Sequence, residues 1–556
     1  MKRIQWDKCS VTLVTLVGCL TIVYINSLIF PFQNNSDENT KQINDRERPY
    51  IVTEYRPQIP LPRDAAMDST RKNRIFNENC LLTRAEGERP IVLPPKRTTD
   101  TYDLHDMGCL LNRYLSSLQT LCKQQLFMGN IPHGGVMYCA DIDPQPSGNV
   151  YFYESGIEEF KRLLMDLVHR FKINVTYFYK TSPLKVSLGS SKGVFSQIQD
   201  AKSVDTFQIK KDNKMKIVPL VIQHSTLKTF QEFLRTDLLD PVQVLILKLH
   251  YEASSYTKDG LRQWLETLRT IYAKDYRLYW FDRSFHCVSK NPKFNNCFTV
   301  CFIRRNKSTR ITAKDFTLPD KTAISGMSDG GAMSIFQSFL SIIQYHCKEF
   351  VRVGKTTDGG WDVCIDPKYA PRKPCIVYSF GIAFDWSFDE SMAKTFGCKV
   401  YSYDPSMDLP IHSHSPGVYF YNIGISSKDT SIPGLTVKGP KGQRKMAWKL
   451  RTLKSLLKEN GHLNRRIDIL KMDVEEAEWA AIPNMISTGV LKNVKQLYIE
   501  FHGGGNKNQL MVVRQLYDEG FRVFWLHRNP VSPCNRYVNF VPVCKCLEIY
   551  FVNTHI

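Results

Sequence analysis

YSFGIAFDWSFDESMAKTFGCKVYSYDPSM, residues Tyr378–Met407, decides how this chain is read. Val377–Phe380 is a short β-prone run, and Gly381 permits a tight turn directly after it. Phe388, Met392 and Phe396 recur at i, i+4 and i+8, which predicts a helix over Trp386–Phe396. Lys399–Tyr403 alternates like a strand and ends at Asp404. A strand–turn–helix–strand unit of this kind can hold a nucleoside. The turn lets the ligand approach the backbone, and the carboxylate at the tip of the second strand accepts hydrogen bonds from ribose hydroxyls. A single glycine is a weaker signal than the three-glycine fingerprint, so an ordinary βαβ unit with a solvent-facing Asp404 is the competing reading.

The same framework occurs earlier in the chain. Cys122 and Cys347, Gly134 and Gly359, Cys139 and Cys364, Asp141 and Asp366, and Gly156 and Gly381 all share one offset of 225 residues. VLILKLHYEA (Val244–Ala253) aligns with IDILKMDVEEA (Ile467–Ala477), which puts His250 opposite Asp473. DYRLYWFDRSFHC (Asp275–Cys287) aligns with GFRVFWLHRNPVSPC (Gly520–Cys534), and CFTVCFIRR (Cys297–Arg305) with CLEIYFVNT (Cys546–Thr554). VKQLYIEFHGGGNKN (Val494–Asn508) then has no partner, so the first half is expected to lack a strand and a loop. The place of Asp404 falls on Tyr179 or Lys180. The expected architecture is two tandem α/β domains, a degenerate one at 101–305 and an intact one at 332–556, joined by a linker at 306–331. The two halves are candidates for an intramolecular pseudo-dimer. Repetition of the cysteines suggests the disulfides Cys122–Cys139 and Cys347–Cys364. It also suggests Cys287–Cys297, and Cys534 paired with Cys544 or Cys546.

Composition bounds the context. With 556 residues and 43% hydrophobic side chains, the chain can bury several domain-sized cores. A net charge of +20 suits acidic glycans, anionic lipid headgroups or simply a solvated basic surface. No RNP-like, zinc-finger or basic-helix motif points to nucleic acid. Cys9–Phe30 is apolar and long enough to span a bilayer, and Lys2, Arg3 and Lys8 precede it. A signal anchor over 9–30, a cytosolic tail over 1–8 and a polar stem over 31–100 follow as expectations. The remainder would then lie in the lumen of the secretory pathway or outside the cell, a single-pass type II topology. The sequons at Asn34, Asn174 and Asn306 and the 16 cysteines fit an oxidising, glycosylating compartment. No CxxC pair has zinc-ligand spacing, and no metal site is expected. A glycosyltransferase would also fit this topology, but Asp141-Ile142-Asp143 is the sole DxD motif weighed, and it lies in the degenerate half.

YSFGIAFDWSFDE, VYSYDPSM, ILKMDVEEAEWAAI and VKQLYIEFH together resemble the methyltransferase-like type II membrane proteins, distant relatives of the FkbM-type methyltransferases. The resemblance covers Phe336–Val552. It implies a Rossmann-like, class I methyltransferase-type fold and S-adenosylmethionine as donor. By that resemblance Gly381 lies under the donor, Asp385 helps to hold it, Asp404 binds the ribose diol, and Asp473 faces the methyl group or the acceptor. Glu500 and His502 line the acceptor side, with His502 the first candidate for a general base because an ordinary imidazole titrates near neutrality. The acceptor implied is a hydroxyl on a glycan or small molecule. The alternative is a catalytically inactive lumenal binding or scaffold protein on the same fold. Trp386, Trp479 and Lys471 read as packing or framework residues, and Glu475 and Glu476 as a solvated helix start.

Overall fold

A computed structural model describes residues 75–76, 80–81 and 93–123, and the first-half segments 125–129, 136–141, 149–153, 163–164, 166–167, 174–179, 195–200, 216–223, 226–251, 256–283 and 297–305. It also describes 317–556 except 357, 440–441, 530–535 and 539–540. The expected anchor, tail and most of the stem lie outside these residues, as do Asn34, Asn306, Cys287, Cys534, Gly156 and Lys180. Among the described residues no helix is long and apolar enough to cross a membrane.

Two sheets organise the chain. The first contains β1 (Asn149–Tyr153), β2 (Asn174–Tyr179), β3 (Phe195–Asp200), β4 (Lys216–Gln223), β5 (Val244–His250), β6 (Tyr276–Arg283) and β7 (Cys297–Arg304). The second contains β8 (Ile376–Phe380), β9 (Lys399–Tyr403), β10 (His412–Ser415), β11 (Val418–Tyr421), β12 (Ile467–Met472), β13 (Val494–His502), β14 (Phe521–Arg528) and β15 (Cys546–Asn553). Their spatial orders are β3-β2-β1-β4-β5-β7-β6 and β10-β11-β9-β8-β12-β13-β15-β14. Apart from the extra edge strand β10 the two orders coincide strand for strand. In each, the last strand in sequence inserts antiparallel between two earlier ones.

The central strands read as they do because both faces are covered. Every residue of the parallel strands β8 and β12 is buried, the pattern of mainly apolar runs that parallel sheets require, and the antiparallel β15 is buried throughout as well. The helix after β8 spans Ser387–Phe396, one residue inside the expected start, and ends at Gly397 in the left-handed region at φ 66°.

The sheet corrects the internal alignment. His250 pairs with Cys297 across β5 and β7, as His502 pairs with Cys546 across β13 and β15. Val244–His250 therefore occupies the place of Val494–His502 rather than that of Ile467–Met472. The first half lacks no central strand, and His250 corresponds to His502 rather than Asp473. The strand that the sequence comparison passed over is β4, KIVPLVIQ, which lies where β12 lies in the second half. Pro219 disguises it, since proline is rare inside a sheet. It is tolerated because the ladder from β4 to β1 contains two registered pairs, ending at Ile217, before the proline is reached. The same registers place Lys248 where the second half has Glu500.

The halves meet through equivalent elements. Each carries a short hairpin, 125–128 with 136–139 and 350–353 with 361–364, closed by the expected disulfides Cys122–Cys139 and Cys347–Cys364. Cys80–Cys109 and Cys375–Cys398 are further bridges that spacing did not suggest. Arg283 on β6 donates Nη1 to both oxygens of Asp362, at 2.9 and 3.2 Å, across the boundary. Arg352 donates to the same carboxylate at 3.0 Å. The register equivalent of Arg283 is Arg528 on β14, which crosses the other way. Its guanidinium lies 4.2 Å over the Phe127 ring, and Nη1 is 3.7 Å from the Met137 sulfur. Trp525 stacks on Phe281 at 4.3 Å between them, and Arg113 pairs with Glu349 at 2.7 Å.

Candidate functional site

The carboxyl ends of β8, β9, β12 and β13 converge where the strand order reverses, between β8 and β12. Open α/β sheets bind ligands at such a switch point. Gly381 leaves β8 at φ 78°, and its N–H donates to the Tyr403 carbonyl at 2.9 Å. A Cβ there would lie 1.6 Å from the Asp473 carbonyl oxygen. Glycine is thus required by the close approach of two strand ends. Lys471 reinforces this turn by donating Nζ to the carbonyls of Phe380 at 3.1 Å and Gly381 at 2.5 Å.

Asp404 stands at the tip of β9 with both oxygens engaged. Oδ2 accepts from the N–H groups of Ile382 at 2.9 Å and Ala383 at 2.8 Å. Oδ1 accepts from the Ser406 N–H at 2.8 Å and its hydroxyl at 2.6 Å. The turn it holds contains Ala383 at φ 46° and Phe384 at φ 65°, a strained pair without glycine. Asp404 therefore clamps the turn. A ribose diol could reach it only by displacing some of these bonds. Asp385 is likewise engaged, with Lys355 Nζ at 2.8 Å and the Ser387 N–H at 3.1 Å. Burial disfavours its charge, but these partners hold its carboxyl below the usual range.

Asp473, Glu500 and His502 do come together. Asp473 and Glu500 share a hydrogen bond, and Asn529 donates to Glu500 Oε1 at 3.2 Å. Burial, then the neighbouring carboxylates of Asp473 and Glu548, push the Glu500 carboxyl well above its ordinary value, which favours its protonated form. His502 receives the opposite treatment. Its N–H donates to Glu478 Oε1 at 2.8 Å, and Nδ1 lies 3.3 Å from the same oxygen. Nε2 faces Glu475 Oε2 at 3.5 Å. Burial opposes a charge on the ring, but Glu478, Glu500 and Asp473 outweigh it and raise the imidazole to about 10. The surrounding carboxylates thus favour the charged ring over the neutral one that a general base requires. Glu478, wholly buried, was not anticipated. It lies three residues past Glu475 in a run whose acids read as solvated. Trp479 stacks on Phe501 at 5.0 Å and donates Nε1 to the His502 carbonyl at 2.7 Å, which fixes the strand end against the helix Glu478–Ser487.

Residues 325–550 match the family described as "Methyltransferase domain". Two curated relatives, human and rat "Probable methyltransferase-like protein 24", are each 28% identical over 221 and 223 residues. The aligned part is 36% of this chain. The chain spans 58% and 59% of those relatives' own length. Among solved structures, a phosphoethanolamine N-methyltransferase 1 from Haemonchus contortus covers 82% of this chain and 95% of its own, at 11% identity and TM-score 0.23. TrmK from M. capricolum covers 36% and 82%, at 9% identity and TM-score 0.18. Structural likeness at these scores does not establish a common fold. The sequence matches support kinship: residues 325–550 of this chain match the methyltransferase domain family and are similar to the methyltransferase-like group that includes those two relatives.

Proposed function

We propose that the second half is an S-adenosylmethionine-dependent methyltransferase acting on an oxygen acceptor, with the first half as its non-catalytic copy. The observation that carries this reading is the convergence of Gly381, Asp473, Glu500 and His502 at the switch point of the sheet. The residues present fit the donor on charge: a sulfonium is cationic, and Asp473, Glu475 and Glu478 surround a single imidazolium. When bound, the donor supplies an activated methyl group, so positioning is the protein's main task. Gly381 leaves its surface free of a side chain, and the Asp404 clamp holds the turn in one shape. Glu500, raised by burial and by its acidic neighbours, shares a hydrogen bond with Asp473. With His502 already charged, Asp473 is the carboxylate placed to accept a proton from a hydroxyl.

The wider proposal is a type II membrane protein of the secretory pathway, anchored by residues 9–30, with its two halves packed as an intramolecular pseudo-dimer. Asn174 is exposed at the start of β2, which suits its sequon. The acceptor proposed is a hydroxyl on a glycan or small molecule. The saturated hydrogen bonding of Asp404 favours the rival reading, an inactive binding protein. Calorimetric titration of the full chain with S-adenosylmethionine separates them. Binding that weakens at least tenfold in Asp473→Asn is expected, and no binding by the unmutated chain refutes the enzyme.

A further inference from the structure

Five groups of potential ligands lie within reach of one another among the described residues. Disulfides remove four of them. Cys80–Cys109, Cys122–Cys139 and Cys347–Cys364 are bridged, and Cys546 is disulfide-bonded, so none of these sulfurs is available as a thiolate. The group that is left is Asp473, Glu475 and His502, whose ligand atoms all lie within 4.8 Å of one another. We propose that these three side chains hold one divalent cation, of the class that accepts mixed carboxylate and imidazole ligands, such as Mn2+ or Zn2+.

The ring of His502 is set for this, with the cation taking the place of the proton on Nε2, which passes to solvent. Nδ1 is turned to Glu478, which leaves Nε2 facing Glu475. A ligating histidine characteristically gives its other ring N–H to a carboxylate. Glu478 is 0% exposed, and while Oε1 serves His502, Oε2 is buried with no hydrogen-bond partner. A wholly buried carboxylate that is half satisfied, and aimed at an imidazole between further acids, calls for positive charge beyond one ring proton. The side chain of Glu475 is 62% exposed, so the group opens to solvent on that side and has room for a water or an acceptor oxygen. The first half carries His250 in place of His502 but Lys248 in place of Glu500. It thus supplies an ammonium group where the second half has an acid.

The test uses the full chain, stripped with a chelator and titrated with Mn2+, then Zn2+, by calorimetry, with Mn2+ binding also read by electron paramagnetic resonance. One equivalent per chain is expected. Glu475→Gln, at an exposed side chain, and Asp473→Asn should each weaken binding at least tenfold. Glu478→Gln should weaken it roughly 10–100-fold through the orientation of His502. No binding by the unmutated chain, or an affinity unchanged in both Glu475→Gln and Asp473→Asn, overturns the proposal. Calorimetry with the metal alone needs no methyl donor, so its failure leaves the methyl-transfer reading standing, and failure of donor binding leaves the cation site standing.

Discussion

Asp362→Asn should be among the most damaging single changes in this chain, although it lies in a short hairpin away from the candidate site. Asp362 is 0% exposed and receives Arg283 from the first half and Arg352 from its own hairpin. Burial works against its charge, but the two guanidinium groups outweigh that and hold its carboxyl below the usual range. Neutralising it leaves two buried cations facing each other, and removing one partner of a buried pair costs about 3–5 kcal/mol. For a domain of this size about 4 kcal/mol lowers Tm by roughly 8–16 °C. The equivalent position across the boundary supplies an internal control. There Met137 replaces the aspartate, and Arg528 meets a sulfur, a ring and the Ser341 hydroxyl. Burial pushes its guanidinium down to about 10, with the Asp282 carboxylate offsetting only part of that. Methionine keeps most of the apolar length of the arginine stem, so Arg528→Met should cost less than Asp362→Asn. Scanning calorimetry of the full chain measures both. Equal losses in Asp362→Asn and Arg528→Met would show that burial alone, and not the ion pairing across the halves, sets these energies.

Gly381→Ala forces a Cβ into the Asp473 carbonyl and a side chain into φ 78°. It should lower the stability of the second half by more than about 3 kcal/mol, read by denaturant melting, whereas a neutral effect would mean that the β8 and β12 ends do not touch. The pH profile follows from Asp362. Its folded pKa is lowered, so its contribution is fully present above the unfolded value of 3.8 and disappears as pH falls through the folded one. Glu548, lowered chiefly by His527 and Arg352 against burial, acts in the same direction. Tm should therefore be flat with respect to these two groups above about pH 5 and fall steeply below pH 4. Asp362→Asn should flatten that acid limb, and an identical limb in the variant would exclude Asp362 as its source.

What the sequence disclosed and what it concealed have physical causes. The offset of 225 residues was legible because cysteines in a hairpin have few substitutes, and both bridges form with the same separation of 17 residues. The convergence of Asp473, Glu500 and His502 was legible because residues at the ends of adjacent parallel strands must share one edge of the sheet. The raised pKa of His502 was not legible, because it depends on Glu478, a residue on the following helix. Its spacing from the other acids looks like a solvated turn until the fold buries it. The same limit applies to Asp404. A carboxylate at a strand tip binds whatever donors the neighbouring turn presents, and here the turn has two N–H groups pointing inward because Ala383 and Phe384 adopt left-handed angles that no residue pattern announces. The strand order was concealed by a single residue, since Pro219 made β4 resemble a loop and let β5 align with the wrong strand. Correcting that one strand changes a functional argument as well as a topological one. With His250 opposite His502, and Lys248 opposite Glu500, the first half has kept the imidazole and exchanged the acid beside it for a base. The exchange puts an ammonium group where the second half gathers acids, so the two copies differ in the electrostatics of a shared strand end.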